Sequence, residues 1–334
     1  MVLFAGTAFA QSPDPAVVQP RAGSPALVST EAAFRLVLRQ PHAPEVTAPP
    51  AVLEDDTGQT FPLQVAVQGP WQDGIWCTAR MIDPLPQGAY TLVVGASGQE
   101  ARYPAAVWVR PNPEAYYVVA HVRGDSADAG ASALQEAFDS GASFAVMTGP
   151  LTPRGTPEEL AALYARIIEA PLPVIVAGAA QDNKLGHFRD YFSTAPWGFR
   201  YGDDGFIVTP TTDRPASRVA SPQDGSRYDG LIAYWRNALI GARWVVAVIP
   251  EYRTGKWLRL DQTLLTDDPV AAVITGPVLD AGPAVRPSPW GDTLIVHAPD
   301  QAQGKVRIVD VTAQGPRPRA LAGDRPKEDA PTTE

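Results

Sequence analysis

Little in this chain can do thiol or imidazole chemistry. Among its 334 residues there are one cysteine, four histidines and three methionines. A lone Cys77 excludes an internal disulfide and reads as a small buried apolar residue rather than a nucleophile. No apolar run approaches the ~20 residues that span a bilayer, so no transmembrane segment is expected. Positive charge is scarce: 27 Lys and Arg stand against 36 Asp and Glu, a net −9 that argues against a nucleic-acid surface. There is no Gly-x-Ser-x-Gly elbow and no Gly-x4-Gly-Lys-Ser phosphate loop.

What is plentiful is proline, 35 residues spread through loops and both ends. The length suggests two domains, each able to bury a core. In residues 1–10 an apolar run, Val2–Phe9, leads into Ala8-Phe9-Ala10 before Gln11, the small-x-small pattern that ends a secretory signal. The charged start of such a signal is missing. The expectation is therefore a partial signal peptide whose true start lies upstream, and a periplasmic or extracellular protein. Residues 11–29 are Pro/Ala/Ser-rich and read as a linker.

Residues 30–112 read as a small β-sandwich of immunoglobulin or fibronectin type. Phe34–Arg39, Phe61–Val67 and Trp76–Ile82 alternate as half-buried strands do, and Leu85–Val94 is a turn entering a strand. Asp55-Asp56-Thr57-Gly58 is a hairpin turn, and Arg110-Pro111-Asn112-Pro113 is the domain boundary. From there short apolar runs alternate with helical periods. Strands are expected at Tyr116–Ala120, Ser143–Thr148 and Pro173–Ala177, and helices at 130–139 and from Thr156. This is the pattern of a parallel βαβ core, whose strand ends are where ligands sit. The first helix should bury Leu134, Ala137 and Phe138. In the second, Thr156 caps, Pro157 suits the first turn and Glu159 completes a capping box. A helix over Asp229–Ile240 follows, then strands at Trp244–Ile249, Pro269–Thr275, Asp292–His297 and Lys305–Val311. Residues 313–334 read as a disordered tail.

Thr148-Gly149-Pro150-Leu151-Thr152 with Gly155-Thr156-Pro157-Glu158-Glu159 is similar to the GDLT…GTPEE stretch of calcineurin-like metallophosphoesterases. Val174–Gly178 and its following loop resemble that family's strand and GNHD loop. The resemblance runs over roughly residues 115–310. It implies a four-layer αββα sandwich at 113–312, two sheets face to face with helices outside. It also implies a site for two divalent metals in the strand-end loops, where a bridging hydroxide attacks phosphorus.

Where the family pattern places metal ligands, this chain departs. His121 and Arg123 occupy the first motif, and Arg123 has no lone pair to offer. Pro150 stands where the bridging Asp belongs. Ala179 and Ala180 replace Asn-His. Val248 marks the fourth motif, which has no imidazole. Pro277 and Leu279 replace the two His of the fifth. The glycines of the turns are kept. Neither a metal nor another cofactor is expected. A reduced site from His121, Asp125 and Asp182 stays as an alternative. Arg123 with the loops at Gly149 and Gly178 is expected to favour an anion. Tyr191, Phe192, Trp197, Phe199 and Tyr201 read as core packing, with an exposed recognition ridge as the other reading. The function expected is that of a pseudoenzyme, a binding or scaffold protein with an unknown partner or self-assembly. A phosphoesterase with a rebuilt site and a structural subunit of a surface assembly are the alternatives.

Overall fold

The structure is a computed structural model. It describes residues 17–321 apart from 30–31, 40–47, 72–73, 97, 114, 124–126, 194–195, 210–237, 252–269, 279–282, 289–291 and 300–305. In chain order the first domain holds β1 (Val17–Gln19), β2 (Ala26–Val28), β3 (Ala33–Arg39), β4 (Ala51–Glu54), β5 (Thr60–Trp71), β6 (Gly74–Met81), β7 (Gly88–Val94) and β8 (Ala101–Val109). Next come β9 (Tyr117–Arg123), α1 (Ala127–Asp139), β10 (Phe144–Gly149), α2 (Pro157–Glu169), β11 (Val174–Gly178) and α3 (Phe188–Tyr191). The chain closes with β12 (Trp197–Tyr201), β13 (Asp204–Val208), β14 (Val245–Ile249), β15 (Ala272–Thr275), β16 (Val285–Pro287), β17 (Leu294–His297), β18 (Val306–Thr312) and β19 (Gly315–Pro318). Among the described residues no helix is long and apolar enough to cross a membrane.

The N-terminal part, residues 17–109, is one sheet rather than a sandwich of two. Its eight strands run β1-β3-β6-β5-β4-β7-β8-β2, and it is nearly closed, like a barrel. The long strand β5 makes this possible. Its start, Thr60–Pro62, pairs with β4 and its remainder, Leu63–Trp71, with β6, so one bending strand serves both halves. Inward-facing residues such as Leu36, Leu53, Cys77, Leu92 and Val107 fill the interior. Closing a sheet on itself leaves few unpaired edges. Residues 17–28, expected as linker, contain β1 and β2, the two ends of this sheet.

The remainder of the chain corrects the expected αββα sandwich. The chain is mostly β, and beside the barrel-like sheet it has two mixed sheets. One is β11-β10-β9-β18-β19, parallel through β9–β11 as the βαβ pattern predicted and antiparallel beyond. The other is β12-β13-β14-β15-β17-β16, parallel in its centre with antiparallel edges. Among the described residues, α1–α3 lie over the outer face of the five-stranded sheet, and no helix covers the six-stranded one. The helix expected over Asp229–Ile240 falls outside the described residues except at 238–240. Residues 315–318, expected in the tail, form β19 and lengthen the five-stranded sheet.

Side-chain alternation along β9 explains the layers. Val118, Ala120 and Val122 face the helices, while Tyr117, Val119 and His121 face the other sheet. Between the sheets Phe144, Phe199 and Phe206 pack face and edge, with Phe199 and Phe206 stacked at 4.9 Å. Trp197 is 1% exposed and stacks on Phe199 at 5.3 Å, so the aromatic segment is core and the recognition-ridge reading is overturned. Helix α2 starts as its sequence demands. Thr156 Oγ1 accepts the Glu159 N–H, and Glu159 accepts the Thr156 N–H in return. Phe138, expected on the buried face of α1, is instead 45% exposed.

Candidate functional site: the strand-end junction

The carboxyl ends of β9, β10, β11, β14 and β15 converge where the two sheets meet. Here the loops after β10 and β15 are in backbone contact. A Cβ placed on Gly276 would lie 2.2 Å from the Pro250 carbonyl oxygen and 2.8 Å from Gly149 Cα. One placed on Gly149 would lie 2.7 Å from Pro277 Cδ. Only glycine lets the two loops approach this closely. Pro277 therefore fills space over Gly149. Val248 is fully buried in β14, Ala179 is buried and Ala180 is exposed. Pro150 and Arg123 are half-buried, and Leu279 and Asp125 lie outside the described residues.

The loops expected to hold an anion already hold one, Asp182. Its Oδ1 accepts the Leu151 N–H (3.0 Å), the Thr152 N–H (2.8 Å) and the Thr152 hydroxyl (2.8 Å). Its Oδ2 accepts the Ala179 N–H at 2.8 Å. Thr152 Oγ1 in turn accepts the Gly155 N–H. A ring of converging backbone N–H groups is an anion-binding concavity, and here the occupant is internal. Asp182 is fully buried, and burial pushes its carboxyl up to about 6, against the pull of these hydrogen bonds.

A second buried polar group lies on the inner face. His121 is fully buried. Its Nε2 is 2.7 Å from Thr148 Oγ1, and its Nδ1 has no hydrogen-bond partner among the described residues. Burial, with the positive Arg307 and His297 close by, pushes its imidazole down to about 3, so it is neutral at physiological pH. His297 and Arg307 are fully buried too. His297 Nδ1 lies 3.0 Å from the Gly276 carbonyl oxygen, and Arg307 Nε donates to the His297 carbonyl oxygen at 3.2 Å.

The residues do not fit a two-metal centre. Among the described residues no three of His, Cys, Asp or Glu group together. His121 is engaged with Thr148, the carboxylate of Asp182 is surrounded by donors, and backbone and proline carbon fill the junction. Sequence reasoning placed His121 and Asp182 near these loops. It missed Arg307, which reaches the cluster from β18 and carries no local motif, and it read Thr148 only as part of a loop motif rather than as the partner of His121. The alternation of β9, extended to its neighbours β10 and β18 in register, could have found both roles.

No protein-family model matches the chain, and no curated protein matches it. Among solved structures it is similar to TT1561 of Thermus thermophilus, a protein of the calcineurin-like phosphoesterase fold. That likeness has 15% identity and a TM-score of 0.42, and covers 63% of this chain and 99% of that one. It is also similar to an amylomaltase from Corynebacterium glutamicum, at 16% identity and a TM-score of 0.20, over 44% of this chain and 23% of that one. A pullulanase from an Anoxybacillus species matches at 9% identity and a TM-score of 0.20, over 84% and 67%. At these TM-scores the likenesses carry no argument about fold or activity.

Proposed function

We propose that the second domain is a degenerate relative of the calcineurin-like metallophosphoesterases that has lost its catalytic centre, and that the protein acts by binding or scaffolding. One observation carries this reading: the loops that would surround a reacting phosphate are occupied by the chain itself. Asp182 takes the N–H donors, and Gly149, Gly276 and Pro277 close the junction. Two clustered divalent cations need a bridging carboxylate and neutral imidazoles, and those positions are Pro150, Ala179, Ala180, Val248 and Pro277.

The partner in this reading is another protein or a second copy, met outside the cytoplasm. Support for export is the Ala8-Phe9-Ala10 pattern. N-terminal sequencing of protein from its native source checks that part: a chain beginning near Gln11 agrees with it, and an intact Met1 in a cytosolic fraction contradicts it. The catalytic part is tested by elemental analysis after dialysis, together with an aryl-phosphate assay in added manganese. Neither bound metal nor turnover is the expected outcome. Stoichiometric metal with turnover abolished by His121→Ala establishes a rebuilt phosphoesterase instead.

A further inference from the structure

Between β1 and β2 the chain leaves the barrel-like sheet and reaches into the second domain. Arg21 and Ser24 exchange backbone hydrogen bonds (3.2 and 2.9 Å), closing a four-residue turn. Gly23 takes the positive φ of +84° that its third position asks for. The tip is buried: Ala22 joins the core beneath α2 and α3, and a Cβ on Gly23 would meet Phe192 at 2.6 Å. The Gly23 carbonyl accepts the Val176 N–H at 2.8 Å, on the outer edge of β11. The buried Arg21 guanidinium donates to the carbonyl oxygens of Arg189 and Asp190, at the end of α3.

We propose that the Arg21–Ser24 turn is a releasable latch, which undocks from the second domain as a unit and uncovers the edge of β11 while both domains stay folded. Three observations support release rather than a fixed joint. The hydrogen bonds that shape the turn lie within it, so it keeps its form when undocked. Arg21 is a desolvated cation held by neutral carbonyls, with its Nε unpartnered among the described residues. Burial outweighs the pull of the Asp190 carboxylate on this cation, which makes its place unfavourable for a charge. The domains also have a separate joint, since Leu27, Ala105 and Trp108 pack into the core between the two sheets. Closed, the latch covers an edge strand and satisfies the terminal carbonyls of α3. Open, β11 presents an unpaired edge of N–H and C=O groups.

Native-state hydrogen exchange on the full chain tests this. The amide of Val176 reports the latch, and that of Ala145, bonded to the Pro173 carbonyl oxygen at 2.8 Å, reports the sheet. Val176 is expected to exchange at least about tenfold faster than Ala145, by local opening. Arg21→Ala is expected to speed Val176 by about a further tenfold and leave Ala145 unchanged. Equal protection of the two amides in the unaltered protein overturns the proposal. So does an Arg21→Ala chain that speeds both equally, or one that fails to fold, because the turn is then part of the core.

Discussion

Asp182 and His121 are both fully buried near the ends of parallel strands, the first after β11 and the second on β9 with β10 between, yet they are built on opposite terms. Asp182 is an acceptor surrounded by donors from two loops. His121 has one hydroxyl partner, an unpartnered Nδ1 and the positive Arg307 beside it. The first knits loops together; the second is tolerated because a neutral imidazole is cheap to bury and a charged one is not. Among the described residues, the strand ends thus hold buried polar groups without the convergence of lone pairs that a metal centre needs.

Removing Asp182 should have the largest effect. Asp182→Ala strands the N–H groups of Leu151, Thr152 and Ala179 in a buried place, and should lower stability by about 3–5 kcal/mol in urea unfolding. Asp182→Asn keeps an acceptor and should lose less. A loss for Asp182→Ala within experimental error would show that water reaches these loops.

His121 sharpens the contrast through pH. Its value is about 3 in the folded chain and near 6.5 when unfolded, so its stability contribution is full above 6.5 and is lost as pH falls toward 3. Asp182 runs the other way. Its folded value of about 6 lies above the unfolded 3.8, so protonation favours the fold as pH falls from 6 to 4. In the unaltered protein the two oppose each other over that window. His121→Phe removes one side, and its stability relative to the parent should rise by about 3 kcal/mol between pH 6.5 and 4. Parallel curves would mean that His121 is not held neutral.

Glu159 is the control, a satisfied cap on an exposed helix start. Glu159→Ala should cost about 1 kcal/mol or less, without changing the pH profile set by the two buried groups.

Local chemistry was legible before the structure. The capping box of α2 and the parallel order of β9, β10 and β11 followed from Thr156, Glu159 and the alternation of apolar runs. The barrel-like sheet was not, because alternation marks a strand without saying whether its sheet divides, and the bend of β5 depends on partners far along the chain. Arg21 was hidden in a Pro/Ala/Ser-rich run whose composition resembles a linker. Gly276 was visible as a retained glycine, but its reason, contact with Gly149 and Pro250, joins loops from two different sheets. Asp182 was seen as an acid near the third loop. Which donors it would meet depends on the β10–β11 register.

The central claim is that the strand-end junction is closed to divalent cations. NMR of the imidazole resonances during a manganese titration tests it most directly. His121 and His297 should show no selective broadening at stoichiometric manganese, and His121 should stay neutral down to about pH 3. Selective broadening of both at one equivalent, with His121 titrating near 6.5, would place a metal at the junction and contradict the account.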